Sequence, residues 1–536
     1  MSDNGVFGQA VVGATRLYRV PPASVVALLV AGLILGVVGD GLLRVETGPV
    51  HLNMSLWVAS VAVAVLVLHR RAALALDRER IAWLVIGVLC AAGLAWRDAP
   101  PLKLLALACA TLSFALAAHR LAGGWVRRSG VLRYGGALAL GALHAWTAPV
   151  LALVDVTRST PRAGTTRAAR WRNAAAIARG LAIAAPLIVV FGALFMSADA
   201  VFAELAGSVV RFDVELIASH VLVFAILGWI STGYLRGFLT TTDLPLADRR
   251  NGIDGQGSPA PTWLALGITE VATALAAIDL LFLVFVIVQF RYLFGADTLV
   301  QVTPDLTYAD YARRGFFERV FAVVLVVPVL LAADWLLDRR AARDAVVFRA
   351  LAGLQIGLVL AIAASALQRL RLYDESYGLT ESRLYAMVLL IWIGAMLVWL
   401  AATVLRGRRD SFAFGTLASG LATVALLFVI NPDAVVVRAN VARTTSADAP
   451  VPFDAAYAAR SESADAVPLL IDALARLPPD VQCPIARNVL RRWPPDRAPS
   501  IRSWSWSAAR ASAAVREHEA RLRSMVALDP ECAAPR

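Results

Sequence analysis

Apolar stretches of about 20 residues recur along most of the chain, and short polar segments separate them. A helix needs about 20 such residues to cross ~30 Å of hydrocarbon, so each stretch predicts one membrane span. No run shows the apolar–polar alternation of β-strands, which favours helices over a β-barrel. The predicted spans are 22–43, 53–69, 80–96, 101–118, 133–155, 174–196, 214–235, 262–294, 315–336, 346–368, 384–405 and 412–430.

The composition agrees with a membrane protein. The chain has 536 residues, of which 59% are hydrophobic and 17% are charged, whereas soluble domains have about 45–50% and about 25%. These values exclude a soluble enzyme, a fibrous protein and a disordered chain. The predicted fold is all-α: a polytopic helical membrane protein with 11–12 transmembrane helices and a small helical soluble domain at the C-terminus.

The positive charge is spread in a way that argues against nucleic-acid binding. The net charge is +12, and Lys103 is the single lysine among 51 basic residues. The arginines form short clusters between spans, as the positive-inside rule describes for cytoplasmic loops. We therefore expect the bilayer, and no nucleic acid, as the partner of these residues.

Arginine placement also predicts the topology. Loops 156–173, 337–345 and 406–411 are basic and are predicted to be cytoplasmic,. Loops 197–213 and 369–383 carry acids and are predicted to lie outside. The last span then exits outward. We therefore expect a protein of a bacterial cytoplasmic (inner) membrane whose C-terminal tail lies outside the cytoplasm.

Loop 119–130 is basic as well, although only one predicted span separates it from loop 156–173. Segment 133–155 therefore either re-enters the membrane, which gives eleven spans, or crosses it, which gives twelve. We favour eleven. The predicted organisation is an N-terminal membrane region (1–240, about 6–7 spans), a polar linker (241–261), a C-terminal membrane region (262–430, about five spans) and a helical tail (444–536).

The candidate functional residues fall into three groups. Polar side chains inside a span are costly and need a reason; these are Glu270, Asp279 and Gln289. For Asp279 a structural hydrogen bond is favoured over a proton or ion pathway. A second group gathers on the predicted outer face as a candidate ligand-binding cluster, with an aromatic belt and a salt-bridged helix start as the alternative. Its members are Asp199, Tyr308, Asp310, Tyr311, Arg313, Arg314, Glu318, Asp374, Glu381, Arg383 and Asp433.

The third group is the tail cysteines. Cys483 and Cys532 are a candidate disulfide if the tail lies in an oxidising compartment, and two separate thiols otherwise. Cys90 and Cys109 lie within spans. No CxxC motif or Cys/His cluster occurs, so no metal site is predicted.

Several segments resemble a bacterial multi-pass membrane family of unknown function, the domain-of-unknown-function 4173 type. The resemblance covers roughly 180–536 and rests on 186–202, 281–295, 308–318, 377–383, 431–433 and 465–468. It implies the architecture and brings no assigned activity.

Three functions remain open. The favoured one is a non-enzymatic protein that senses or scaffolds, with an outward polar cluster, a periplasmic tail and a membrane or periplasmic protein partner. The alternatives are a transporter or lipid flippase, and a membrane glycosyl or lipid transferase. No Walker loop, GxGxxG, HExxH or GxSxG is present, so an enzyme is the less favoured class and no cofactor is predicted.

Overall fold

The fold is an all-α bundle with a helical tail. The computed structural model describes residues 22–43, 50–74, 76–118, 131–159, 180, 184, 195, 199, 214–240, 264–293, 316–338, 341–444, 463–496 and 501–527. The membrane region contains α1 (Pro22–Leu43), α2 (Leu52–Arg71), α3 (Arg78–Trp96), α4 (Pro100–Ala118), α5 (Val131–Ser159), α6 (Val214–Thr240), α7 (Ile268–Leu293), α8 (Phe316–Leu336), α9 (Ala342–Tyr377), α10 (Glu381–Thr403) and α11 (Arg409–Ile430). The helices that follow are α12 (Pro432–Thr444), α13 (Val467–Ala473), α14 (Pro479–Arg492), α15 (Trp506–Glu517) and α16 (Glu519–Ala527).

Within the described residues, nine helices are long and apolar enough to cross a membrane. They are α1, α2, α3, α4, α6, α7, α9, α10 and α11. A shorter apolar stretch, Val320–Leu336, lies in α8. The prediction of a polytopic all-α membrane protein is confirmed. Segment 174–196 and linker 241–261 lie outside the described residues, except for single positions in the former, so the count of 11–12 spans stays a prediction.

Segment 133–155 belongs to one unbroken helix, α5, which contains Pro149. It runs antiparallel to α6: the Trp229 indole nitrogen donates to the Trp146 carbonyl oxygen at 2.9 Å, and Tyr134 shares a core with Leu239. This helix is not among the nine, so the choice between crossing and re-entry stays a prediction.

Two apolar cores divide the membrane region. The first joins α1 to α6 and includes Leu28, Val65, Leu116 and Phe238. The second joins α7 to α11 and includes Leu275, Phe348, Val359 and Leu397. A small cluster of α3, α4 and α11 residues lies where the two regions meet, with Leu94, Leu102 and Phe428. The site described below lies directly at the end of this junction.

Arg80 fixes one end of the first core. Its Nε donates to the Ala117 carbonyl at 2.8 Å, and its Nη2 donates to the Phe238 carbonyl at 3.1 Å. The guanidinium also lies 3.9 Å from the centre of the Phe238 ring. The last carbonyls of a helix have no partner within the helix and attract cations. One buried arginine therefore binds the C-terminal ends of α4 and α6 together.

The C-terminal region begins with a short backbone pairing. Leu266 N donates to the Leu336 carbonyl and Asp338 N donates to the Leu266 carbonyl, each at 2.9 Å. This pairing sets the start of α7 at Ile268, so the apolar run from 262 is not one long helix. Because α9 starts at Ala342, only a few residues after the same pairing, α7 and α9 begin at the same end of the bundle and run parallel.

The two ends of the bundle differ in charge. We call the end that contacts the tail the tail face; it contains the α3–α4 corner, the α9–α10 corner and the end of α11. The other end, the basic face, lies at the opposite ends of the same helices. Its arginines in the described residues include Arg70, Arg71, Arg343, Arg406 and Arg408.

The tail has its own apolar core, in which Leu470, Leu474, Ile485, Val515 and Leu522 are buried. Val437 and Val441 of α12 belong to the same core, so its packing begins before the predicted tail boundary at 444. Cys483 is disulfide-bonded, while Cys90 and Cys109 are free. Cys532 lies outside the described residues, so the pairing of Cys483 with it stays a prediction.

Close packing of α1 on α6 gives a first prediction. A Cβ atom on Gly36 would lie 2.9 Å from the Phe224 carbonyl oxygen, whereas a Cβ on Gly41 of the same helix meets nothing within 4 Å. Gly36→Ala should therefore destabilise the purified protein by ~1–3 kcal/mol through overpacking. Gly41→Ala is the matched control. Equal thermal unfolding curves for the two variants would contradict the packing.

Candidate functional site

A polar cluster lies on the tail face, where the two membrane regions and the tail meet. Four segments supply it: the α3–α4 corner (97–99), the first turn of α10, the α11–α12 corner and the tail residues 463–507. Local sequence explains the corners, because Pro100 begins α4 and Asn431, with φ of 59°, ends α11. Both corners leave backbone groups free to bond outside their helices.

Asp465 is the centre of this cluster. Its side chain is 1% exposed, and its Oδ1 lies 3.1 Å from Arg97 Nη1. Its Oδ2 accepts hydrogen bonds from the backbone nitrogens of Asp98 (2.6 Å) and Ala99 (3.2 Å). The Ser507 hydroxyl contacts Oδ1 as well. A buried carboxylate with this many donors is well satisfied, and it joins the tail to the α3–α4 corner.

Asp98 makes the reciprocal contact. Its Oδ2 accepts from the Ala464 backbone nitrogen at 3.2 Å, and its Oδ1 lies 2.7 Å from Lys103 Nζ and 3.4 Å from His51 Nε2. Burial acts to raise the pKa of Asp98, but the Lys103 charge and hydrogen bond outweigh it and hold this pKa below its usual range. Burial and Lys103 lower the pKa of His51. The tail backbone is therefore bound by an ionised carboxylate.

Arg97 connects the same cluster to the second membrane region. Its Nε donates to the Phe428 carbonyl at 2.8 Å and its Nη2 lies 3.4 Å from the Val429 carbonyl. These carbonyls belong to the last turn of α11, where a cation is favourable. The Arg97 guanidinium, which belongs to the first membrane region, therefore bonds both α11 and the tail.

Beside this pair lies an acid pair, Asp433 and Glu381, whose carboxyl groups are close enough to interact electrostatically. Asp433 is 1% exposed, and the Ser463 hydroxyl donates to its Oδ2. Burial, helped by the charge of Asp465, raises the pKa of Asp433 to about 6. The Tyr385 hydroxyl lies near this pair and makes no hydrogen bond.

The rim of the cluster attaches the α9–α10 corner to α12. Asn440 exchanges two hydrogen bonds of 2.8 Å with the Leu379 backbone, and Arg443 Nη2 lies 3.5 Å from Asp374 Oδ2. The Arg383 guanidinium lies 4.0 Å over the Tyr373 ring. Gly378 at this corner has a φ of 82°, a backbone angle that residues with a side chain rarely adopt,.

The structure brings together part of the predicted ligand-binding cluster. Asp374, Glu381, Arg383 and Asp433 all lie on the tail face. Asp199 is exposed, and its backbone nitrogen donates to the Phe195 carbonyl at 3.0 Å. Tyr308, Asp310, Tyr311, Arg313 and Arg314 lie outside the described residues. Glu318 lies in α8, although its side chain is not described.

The predicted intramembrane group divides in the same way. Glu270 is exposed and accepts a 2.7 Å hydrogen bond from its own helix start, Gly267 N. Asp279 is 3% exposed, and among the described residues neither of its carboxylate oxygens has a hydrogen-bond partner. The structural hydrogen bond favoured for it stays a prediction. The Gln289 side chain is not described.

Sequence reasoning missed the centre of the cluster. Asp465 precedes an amphipathic run, and its sequence context assigns it no functional role. The same is true of the other residues of the centre, Arg97, Asp98, His51, Ser463 and Ser507. The available signal was Arg97-Asp98, one residue before Pro100-Pro101 at a span end. A corner this short contains no loop in which two adjacent charged side chains could both extend into water.

The comparison with known families identifies the wider group. Residues 81–473 match a domain of unknown function, DUF4153. The chain belongs to this family. The expectation of a family of unknown function is confirmed, but the 4173 type was the wrong family. The match spans the α3–α4 corner, α10, the α11–α12 corner and Asp465, so most of the cluster lies in the family domain. No curated protein and no solved structure matches the chain.

Loss of the central carboxylate should release the tail. Asp465→Ala leaves Arg97 and two backbone nitrogens buried without their acceptor, and breaking a buried pair in this way costs ~3–5 kcal/mol. We expect faster hydrogen exchange at the tail amides and faster proteolysis within 463–527. Asp472→Ala is the control, because Asp472 is exposed on the neighbouring helix.

A double-mutant cycle tests the pairing itself. Arg97→Ala should weaken docking in the same direction, and the Arg97→Ala/Asp465→Ala double variant should lose less than the sum of the two. Additive effects would mean that the two side chains do not act on each other.

The acid pair predicts a pH dependence of docking. The pKa of Asp433 in the folded protein is about 6, above its ordinary value, so its stabilising contribution is full at low pH and is lost as pH rises through about 6. Exchange protection of the tail should fall over this range in the wild type. In Asp433→Asn, which stays neutral, this part of the fall should disappear. Asp480→Asn changes an exposed carboxylate and should leave the curve unaltered.

Proposed function

We propose that this protein is an integral protein of the bacterial cytoplasmic membrane that senses a condition or partner outside the cytoplasm through the docking of its tail. The observation that supports this is the Asp465–Arg97 pair at 3.1 Å. One contact joins the tail to both membrane regions, because Arg97 also bonds α11. A change in the tail therefore reaches both regions.

The charge of the two faces supports the orientation in this proposal. Arg70, Arg71, Arg343, Arg406 and Arg408 lie on the basic face, and basic loops are retained in the cytoplasm. The tail face carries the acids Asp98, Asp374, Glu381, Asp433 and Asp465. The basic arginines therefore support the proposed orientation, with the basic face in the cytoplasm and the tail outside.

A sensing or scaffolding role fits the cluster better than catalysis. The Asp465 side chain is 1% exposed and Asp433 is 1% exposed, so a diffusible substrate has no access to either carboxylate while the tail is docked. Asp465 has its donors within the protein, as a structural carboxylate does. The buried, hydrogen-bonded Asp465 therefore favours a tail contact whose bonds all form or break together.

The bilayer is the first partner in this proposal. The tail segment before α15 lies against the start of α2, where Leu52 N donates to the Trp504 carbonyl at 3.2 Å. Ile501 in this segment is 82% exposed, and Trp506 at the start of α15 is 51% exposed. Tryptophan is enriched at the membrane–water interface, so this part of the tail would rest on lipid headgroups and leave α14 and α16 to a membrane or periplasmic protein.

The experiment that tests the proposal compares complementation by matched chains. A deletion strain receives the wild type, a chain that ends after Arg443, Asp465→Ala or Asp472→Ala, at equal abundance in the membrane. Genome-wide expression is then measured in each strain. We expect the truncated chain and Asp465→Ala to reproduce the deletion profile, while the wild type and Asp472→Ala restore it.

Reporter fusions examine the orientation separately. A periplasm-active and a cytoplasm-active reporter are placed after Arg443 and in the loop at Gly407. We expect periplasmic activity at the first site and cytoplasmic activity at the second. Full restoration of the profile by Asp465→Ala, or the reverse reporter pattern, would refute the proposed role or the proposed orientation respectively.

A transporter or lipid flippase is the second candidate, favoured by the buried and unpaired Asp279. It requires that Asp279→Asn stops substrate movement while the tail stays docked. For a glycosyl or lipid transferase, replacement of Asp199 or Asp374 should change the lipid or glycan profile of the strain.

A further inference from the structure

Two buried polar side chains in the middle of the C-terminal membrane region have no hydrogen-bond partner among the residues that the structure describes. Asp279 of α7 is 3% exposed and Gln355 of α9 is 0% exposed. Both carboxylate oxygens of Asp279 and both polar atoms of Gln355 are without a hydrogen bond. Buried polar groups are nearly always bonded, so each of these needs a reason.

The two side chains face the same apolar core. Leu275 and Phe282, four residues before and three after Asp279, belong to the core shared by α7 and α9. Ala352 and Val359, three residues before and four after Gln355, belong to the same core. Residues at these spacings share a helix face, so both polar side chains point into that core.

The two positions also lie at the same depth. α7 and α9 run parallel from the Leu266–Leu337 pairing. Asp279 lies about 17 Å along α7 from Ile268, and Gln355 lies about 20 Å along α9 from Ala342, at 1.5 Å per residue. Both depths are near the middle of a hydrocarbon layer of ~30 Å. An acid at this depth is costly unless something neutralises it.

No basic side chain of the described helices lies at this level. Along α9 the nearest charged residues are Arg349 and Arg369, six residues before and fourteen after Gln355. Arg349 is exposed, and Asp334 lies near the end of α8. Neutralisation of Asp279 by an arginine of α9 is therefore not available at its own depth.

We propose that Asp279 and Gln355 form an intramembrane site for a small monovalent cation. Carboxylate and carboxamide oxygens are hard ligands that suit Na⁺, and a proton on Asp279 neutralises the same carboxylate. The shared chemistry is a cation taken up by oxygen atoms in an apolar core. The site is separate in space from the tail-face cluster and does not share a residue with it.

The test uses the full-length protein purified in detergent. Its melting temperature is measured against NaCl at constant ionic strength, with choline chloride as the replacement salt. In parallel, the protein is treated with dicyclohexylcarbodiimide, which modifies protonated carboxyl groups in apolar surroundings, and the labelled peptides are mapped by mass spectrometry across pH.

A Na⁺ site predicts a saturable rise in melting temperature that is lost in Asp279→Asn and in Gln355→Leu. It also predicts that Na⁺ suppresses labelling of Asp279. A proton site predicts no Na⁺ effect and labelling of Asp279 that increases as pH falls. Glu270→Gln changes an exposed acid of the same helix and should leave both measurements unaltered.

The wild type alone decides the proposal if both site variants fail to fold. Absence of labelling at Asp279 at every pH, together with no specific effect of Na⁺ on stability, would overturn it. A rise in melting temperature with Na⁺ that is as large in Asp279→Asn and Gln355→Leu as in the wild type would also overturn it.

Discussion

The contact on which the rest of this structure depends is a carboxylate buried between three parts of the chain. Removing a charge from water costs several kcal/mol, and only well-placed partners repay it. Asp465 has such partners in Arg97 and in the backbone nitrogens of Asp98 and Ala99. Because all of them lie in one corner of the first membrane region, the docked position of the tail is specified closely, and sliding it leaves a buried charge unpaired.

The same physical device fixes both ends of the bundle. At the basic face Arg80 binds the last carbonyls of α4 and α6, and at the tail face Arg97 binds the last carbonyls of α11. In each case a partly buried guanidinium replaces the hydrogen bonds that a helix end lacks. The difference lies in what else each cation meets. Arg80 lies on the Phe238 ring, whereas Arg97 meets a carboxylate of the tail, so only the tail-face contact depends on a separate domain.

The sequence predicts the membrane helices well because one local property, apolar length, determines them. The span expected at 22–43 has those bounds in α1, and the spans expected at 53–69 and 412–430 lie within α2 and α11. Helix α9 is longer than its predicted span, because its polar last turns, with Asp374 and Tyr377, continue the helix above the apolar core.

The site was less predictable, because its residues are far apart in the chain. Asp465 and Arg97 are joined across 368 positions, and no local pattern reports such a meeting. The topology did predict that Asp374, Glu381 and Asp433 share a face, since loops on one side of a membrane converge whatever their order. The predicted topology does not indicate which of these acids pair with each other and which bind the tail.

Helix α9 links the two polar sites of the C-terminal region. It carries Gln355 in the middle of the membrane and Asp374, which meets Arg443 of α12, at the tail face. A helix is stiff along its axis, so a shift of α9 that opens or closes the space around Gln355 also moves Asp374 against α12. If a cation and the docked tail favour different positions of α9, each must change the affinity of the other by the same factor, because coupling between two binding equilibria is reciprocal. The long polar extension of α9 then has a physical reason: it carries a displacement from the apolar core to the tail.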